Sequence, residues 1–133
     1  MGETKFKKLS IVVPVYNEDR YLEAVIGKVL AQPLPGGLEK ELILVNDASQ
    51  DNSWSIMQAL PEKFPSVKMQ LINKTVNEGK GAALRDGFAK VTGDIVIVQD
   101  ADFEYDPADY PKLLQPILDG KADVVYGSRF IGE

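Results

Sequence analysis

The sequence predicts an α/β fold, a Rossmann-like, doubly wound and mainly parallel sheet, on two observations: short apolar runs recur at a regular beat, and amphipathic stretches at helical spacing fill the intervals. The runs 9–15 (LSIVVPV), 41–46 (ELILVN), 67–73 (VKMQLIN), 94–99 (DIVIVQ) and 122–126 (ADVVY) are rich in Val and Ile. Three are nearly continuous in apolar residues, the pattern of strands covered by helices on both faces. Residues 21–31, 53–60, 79–91 and 107–118 carry the helical spacing, with Leu84, Phe88 and Val91 as one apolar series. Asp19 and either Ser49 or Asp51 are the candidate N-caps, and Pro107 suits a first helical turn. Strand and helix in alternation imply parallel strands joined by right-handed crossovers, with ligands beyond the carboxyl ends of the strands.

A chain of 133 residues with 44% hydrophobic and 26% charged residues suffices for one core, so a single domain is expected over 1–133. The fifth run is followed only by a short tail ending Gly132-Glu133, with no helix to cover it, which predicts a domain cut short at its C-terminus. The net charge of −5 argues against nucleic acid as a partner. Without cysteine or histidine, disulfides, thiolate or imidazole metal sites and a Ser-His-Asp triad are all excluded from these residues. No stretch has the length and apolarity to span a bilayer, and a cytoplasmic setting is the default expectation.

Polar residues collect after every strand: Tyr16-Asn17-Glu18, Asp47, Asn77-Glu78-Gly79-Lys80, Asp100-Ala101-Asp102 and Gly127-Ser128-Arg129. Loops are polar generally, so one such group means little. The fourth junction is different, because between Val91 and Pro111 there is no Lys or Arg while Asp94, Asp100, Asp102, Glu104, Asp106 and Asp109 all occur. Asp100 and Asp102, two apart in extended chain, project to one side, with Glu104 following. Such carboxylates raise one another's pKa unless a cation intervenes. Oxygen ligands alone favour Mg²⁺ or Mn²⁺, leaving positions for water and phosphate oxygens. Asp106 and Asp109 have a sufficient explanation at a helix N-terminus. Neither VPVYNEDR nor NEGKGAAL carries a dinucleotide fingerprint or a P-loop. Lys80 reads either as a solvated charge or as a phosphate contact, and is included among the candidates.

The ordered blocks IVVPVYNE, LVNDASQDNS, NEGKGAAL, VIVQDADFEYDP and DVVYGSRF resemble the family 2 inverting glycosyltransferases of the GT-A fold, most of all the branch that moves a sugar onto polyprenyl or dolichyl phosphate. The resemblance runs from Leu9 to Phe130. It implies that Pro14, Tyr16, Asn17 and Glu18 line a nucleoside pocket and that Asp47 meets the base or ribose. It further implies that Asp100 and Asp102 form the metal-diphosphate motif, that Glu104 helps hold the ion, and that Arg129 binds phosphate. Asp102 and Arg129 would be the catalytic pair. Two departures stand out: Asn46-Asp47-Ala48-Ser49 replaces the commoner Asp-Asp-Gly-Ser, and Glu104 replaces Gln.

The implied reaction moves a hexose from a GDP- or UDP-sugar to a lipid phosphate in cell-envelope glycan synthesis, at the cytoplasmic face of a membrane. Acceptor contacts and any membrane contact would come from segments after Glu133, so these residues would bind the donor without completing transfer. Two other readings stand beside it. A DxD-type aspartyl phosphatase would use Asp100 as a nucleophile, but needs further motifs after it. A receiver-like phosphoacceptor module would place its acidic pair after the first strand, where Tyr16-Asn17-Glu18 stands.

Overall fold

The computed structural model describes residues 7–34, 37–101 and 124–126. Within them β1 (Lys8–Val15), α1 (Leu22–Ala31), β2 (Glu39–Asn46), α2 (Ser53–Lys63), β3 (Lys68–Asn73), α3 (Lys80–Phe88), β4 (Ile95–Val98) and β5 (Val124–Tyr126) follow in order. All five strands join one sheet in the order β3-β2-β1-β4-β5, and every neighbouring pair is parallel. The expected doubly wound α/β sheet is therefore present. The helix expected over 107–118 lies outside the described residues.

The period of two along the strands divides the core. Leu9, Ile11, Val13 and Val15 of β1 join Leu42, Leu44, Ile95 and Ile97 under α1 and α2, whose Leu22, Val25, Ile26, Met57 and Leu60 are buried with them. Val12, Ile43, Val45 and Val98 turn to the other face, where Ala83 and Leu84 of α3 cover them. Both faces are occupied, hence the unbroken Val and Ile runs of β1 and β2. The close approach of α3 depends on Gly87, since a Cβ there would stand 2.6 Å from Val12 Cγ1.

Three local expectations are corrected. Helix α3 ends at Phe88 rather than 91, and Phe88 is 41% exposed because Gly87 takes the sheet-facing position. The residues preceding α1 and α2 are Tyr21 and Asn52, neither making a side-chain cap bond; Asp19 and Ser49 are engaged in joining two loops, while Asp51 joins them too and also accepts from the N–H of Ser53, the first residue of α2. Helix α2 continues past residue 60 through Pro61 to Lys63.

At the amino end of the sheet a charge is buried. Glu41 is 1% exposed; its carboxylate accepts bonds from Ser10 Oγ (2.5 Å), Thr92 N (2.8 Å) and Thr92 Oγ1 (2.8 Å). Gly93 N donates to Ser10 Oγ at 2.9 Å, so β1, β2 and the approach to β4 meet at one acid. Burial pushes the Glu41 carboxyl up, but these donors and the Lys8 charge outweigh it and hold the group below its ordinary value.

A carboxyl depressed in the folded state contributes stability that is full above its unfolded pKa and is lost as pH falls through the folded value. Glu41→Gln is expected to cost about 1–3 kcal/mol at pH 7, the range for leaving buried donors poorly matched. The deficit should shrink on acidification below about pH 4, where the unfolded carboxyl protonates. Urea unfolding at neutral and acid pH checks this, and a deficit constant with pH would contradict it.

Candidate functional site

The chain winds outward from β1 through β2 and β3, then returns to the opposite side of β1 as β4, so the order reverses between β1 and β4. Crevices form at such a reversal. Here the sequence widens it. Val12 O accepts from Gln99 N at 2.9 Å on the β4 side, and Val15 O accepts from Asp47 N at 2.9 Å on the β2 side. By alternation Pro14 is turned toward β4, but it has no N–H to offer. Pairing of β1 with β4 stops at Val12↔Val98 while pairing with β2 runs on to Val15↔Asn46.

The resulting cleft has a volume of about 430 Å³ and is lined by Pro14, Val15, Tyr16, Glu18, Asp47, Asn77, Gly79, Lys80, Ala83, Asp100 and Ala101. Six of the residues singled out from sequence meet there: Pro14, Tyr16, Glu18, Asp47, Lys80 and Asp100. Asn17 does not line it. Asp102, Glu104 and Arg129 lie outside the described residues.

Each charged group has its partner. Asp100 is 7% exposed and receives Lys80 Nζ at 2.5 Å. Asp47 is 3% exposed; its Oδ1 accepts from Glu78 N at 3.0 Å and its Oδ2 from Gly79 N at 3.1 Å, while its carbonyl accepts from Asn77 Nδ2 at 3.2 Å. Lys74 reaches Glu78 and Asp86, both at 2.5 Å, and these two acids hold the ammonium above the ordinary lysine value. Tyr16 is 43% exposed and borders the cleft. Among the described residues no three acidic side chains gather into a metal-ligand cluster. Asp100 nevertheless provides an oxygen donor suited to a hard cation, and its two expected companions follow immediately in sequence.

Sequence reading missed the clasp between the loops after β1 and β2. Asn17 N donates to Ser49 Oγ (2.9 Å) and Gln50 N returns a bond to Asn17 Oδ1 (2.8 Å). Asp19 N donates to Asp51 Oδ2 (3.1 Å), Asn52 N to Asp19 Oδ2 (3.2 Å), and Glu18 N to Ser53 Oγ (2.9 Å). Burial raises the Asp51 carboxyl, but bonds from Ser53 and Asp19 outweigh it and leave the pKa lowered. Asn46 uses both ends of its amide, donating to Asn73 Oδ1 (2.8 Å) and accepting from Ser49 N (3.2 Å). An aspartate there could accept but not donate. The available signal was the density of Asn, Asp and Ser over 46–53, residues that satisfy nearby backbone in tight turns.

The parallel sheet, the crevice at its reversal and the polar carboxyl edge define a nucleotide-binding type of α/β domain. The chain matches the family described as "Glycosyl transferase family 2" over residues 10–133, and it belongs to that family. It is 34% identical over 124 residues to a dolichol-phosphate mannosyltransferase of Pyrococcus furiosus, covering 93% of this chain and 34% of the relative. It is 37% identical over 130 residues to an undecaprenyl-phosphate 4-deoxy-4-formamido-L-arabinose transferase of Photorhabdus laumondii, covering 97% and 39%. Among solved structures it resembles the mannosyltransferase PcManGT of Pyrobaculum calidifontis in complex with GDP-Man and Mn²⁺. That match has a TM-score of 0.71 and 26% identity, over 86% of this chain and 32% of that one. The chain thus spans little more than a third of the length of these curated relatives. The GT-A expectation is borne out.

One departure from the family pattern has a stability consequence. Ala48 sits at φ 60°, in the left-handed region that costs a side chain about 1–2 kcal/mol. Glycine would remove that cost while adding about 0.5–1 kcal/mol of backbone entropy loss. Ala48→Gly is expected to raise stability by about 0.5–1 kcal/mol, seen as a higher urea midpoint at unchanged slope; a lowered midpoint would show that the Ala48 methyl contributes packing.

Proposed function

We propose that the cleft at the β1/β4 reversal is the donor site of a metal-dependent, inverting hexosyltransferase that takes a GDP- or UDP-sugar and delivers the sugar to a polyprenyl phosphate. The observation that carries the reading is the buried Asp100 meeting the Lys80 ammonium across that cleft. A site offering both a carboxylate and an ammonium suits a cation and a diphosphate together. The Mn²⁺ and GDP-Man of the archaeal relative's structure support the donor class, and the names of the two curated relatives support the acceptor class.

In this reading Tyr16, with Pro14 and Glu18, receives the nucleoside, and Lys80 lies against the diphosphate. Asp100 and Asp102, with Glu104, hold Mg²⁺ or Mn²⁺, which when bound supplies neutralising charge to the departing nucleoside diphosphate. Arg129 adds a further phosphate contact. Charge on the leaving group is stabilised by the cationic groups of the cleft, so catalysis is mainly electrostatic. A phosphate acceptor is already anionic at neutral pH and needs no general base, and direct displacement inverts the anomeric centre. Among the described residues no helix is long and apolar enough to cross a membrane. A lipid-linked acceptor places the reaction at a membrane surface, on the cytoplasmic side where sugar nucleotides are made.

Asp100→Asn is expected to weaken Mn²⁺-dependent binding of GDP or UDP by about 1–3 kcal/mol and to remove most of the difference between metal and chelator. Isothermal titration with Mn²⁺ and with EDTA measures both. Metal-dependent affinity unchanged in a folded Asp100→Asn protein would remove the carboxylate from the site.

A further inference from the structure

Asp47 stands where a contact to base or ribose is expected, yet both of its oxygens are already committed to the backbone of the turn before α3. Those N–H groups belong to Glu78 and Gly79, immediately before the first helical residue, Lys80. A helix begins with N–H groups that lack intrahelical partners, and the buried Asp47 carboxylate, from just past β2, satisfies that of the capping residue Gly79 together with that of Glu78 before it. Gly79 allows the turn, at φ 96°, a conformation L side chains rarely adopt. Asn77 fastens the same turn to the Asp47 carbonyl. Asp47 follows β2 and Asp100 lies just past β4, the two strands flanking β1. The turn therefore runs from one side of the cleft to the other, held at the first end by Asp47 and at the second by the Lys80–Asp100 pair.

We propose that Asp47 is a positioning residue for the diphosphate end of the donor: by holding the Glu78–Gly79 turn it sets where Lys80 presents its ammonium, rather than contacting the nucleoside. The proposal rests on the reading of the cleft as a nucleoside diphosphate site. The turn is also reached by Lys74, which follows β3 and donates its N–H to Asn46 O, but that lysine holds the side chain of Glu78 and of Asp86 on α3 rather than the main chain of the turn. Among the described contacts of residues 77–79, only the bonds from Glu78 N and Gly79 N to Asp47 tie the main chain of the turn to the floor of the cleft.

The test compares wild type, Asp47→Asn, Lys80→Met and the double variant by isothermal titration with guanosine, uridine, GDP and UDP in the presence of Mn²⁺. Asparagine keeps the size but turns an NH₂ toward one of the two N–H donors, opening half of the hold. Expected are roughly tenfold weaker binding of the preferred diphosphate in each single variant, unchanged nucleoside affinity, and a double variant no weaker than Lys80→Met alone. Amide hydrogen exchange should quicken at Glu78 and Gly79 in Asp47→Asn while the β1 and β2 amides keep their protection. Equal loss of nucleoside and diphosphate affinity, or additive losses in the double variant, would overturn the proposal in favour of direct contact. Exchange quickened throughout the sheet would overturn it in favour of a general structural role. Wild-type protein that binds neither diphosphate, with the turn protected as described, would defeat the donor reading itself and the positioning role with it.

Discussion

The structure depends on a hydrogen bond that the central strand is unable to make. Pro14 stands one residue from the end of β1, on the side that faces β4, and offers no N–H. The sheet stays closed toward β2 and opens toward β4, at the place where the winding direction reverses. A proline inside a central strand ordinarily argues against that strand. Here it sits beyond the last paired residue of β4, so its cost is small and its effect is to leave room for a ligand.

Around that opening, charge is handled by distance from solvent. Glu41, at the amino end, is buried and surrounded by donors, so it is a structural charge with nothing to exchange. Asp51 and Asp19 spend their oxygens on neighbouring main chain and join two loops. Asp100 is buried against a side chain, Lys80, that is itself about half exposed. An ion pair of this kind contributes little to stability, and its ammonium is free to exchange one anionic partner for another. Of the two buried aspartates that line the crevice, the fold holds Asp47 with backbone N–H groups and leaves Asp100 paired with a movable cation.

Much of this was legible in the residues. Helices on both faces of the sheet are written in the unbroken apolar runs IVVPV and LILV, and the parallel pairing follows from the alternation of strand and helix. The collection of polar residues after each strand pointed to the edge where the cleft opens, because the carboxyl edge of a parallel sheet is one surface. What the sequence did not disclose was how those residues divide their work. Asn17 and Asp47 are of the right type and at the right edge for ligand contact, and Asp47 lines the cleft, but the oxygens of both also accept from backbone N–H groups distant in sequence. Those donors, 33 residues away for Asn17 and 31 or 32 for Asp47, are invisible to local pattern. The end of α3 was misjudged for a related reason: Phe88 is apolar and correctly spaced, but only a residue without a side chain fits against Val12.

In the proposed function the crevice beside Pro14 takes a sugar nucleotide. Amide chemical-shift mapping on titration with GDP-mannose and with UDP-sugars, in Mg²⁺ so that signals are not broadened, tests it most directly. Saturable shifts are expected at the carboxyl edge alone, at Tyr16, Asp47, Gly79, Lys80 and Ala101, with Leu38, Lys40 and Val67 at the opposite end unmoved. Shifts centred on that opposite end, or none at millimolar ligand, would contradict it.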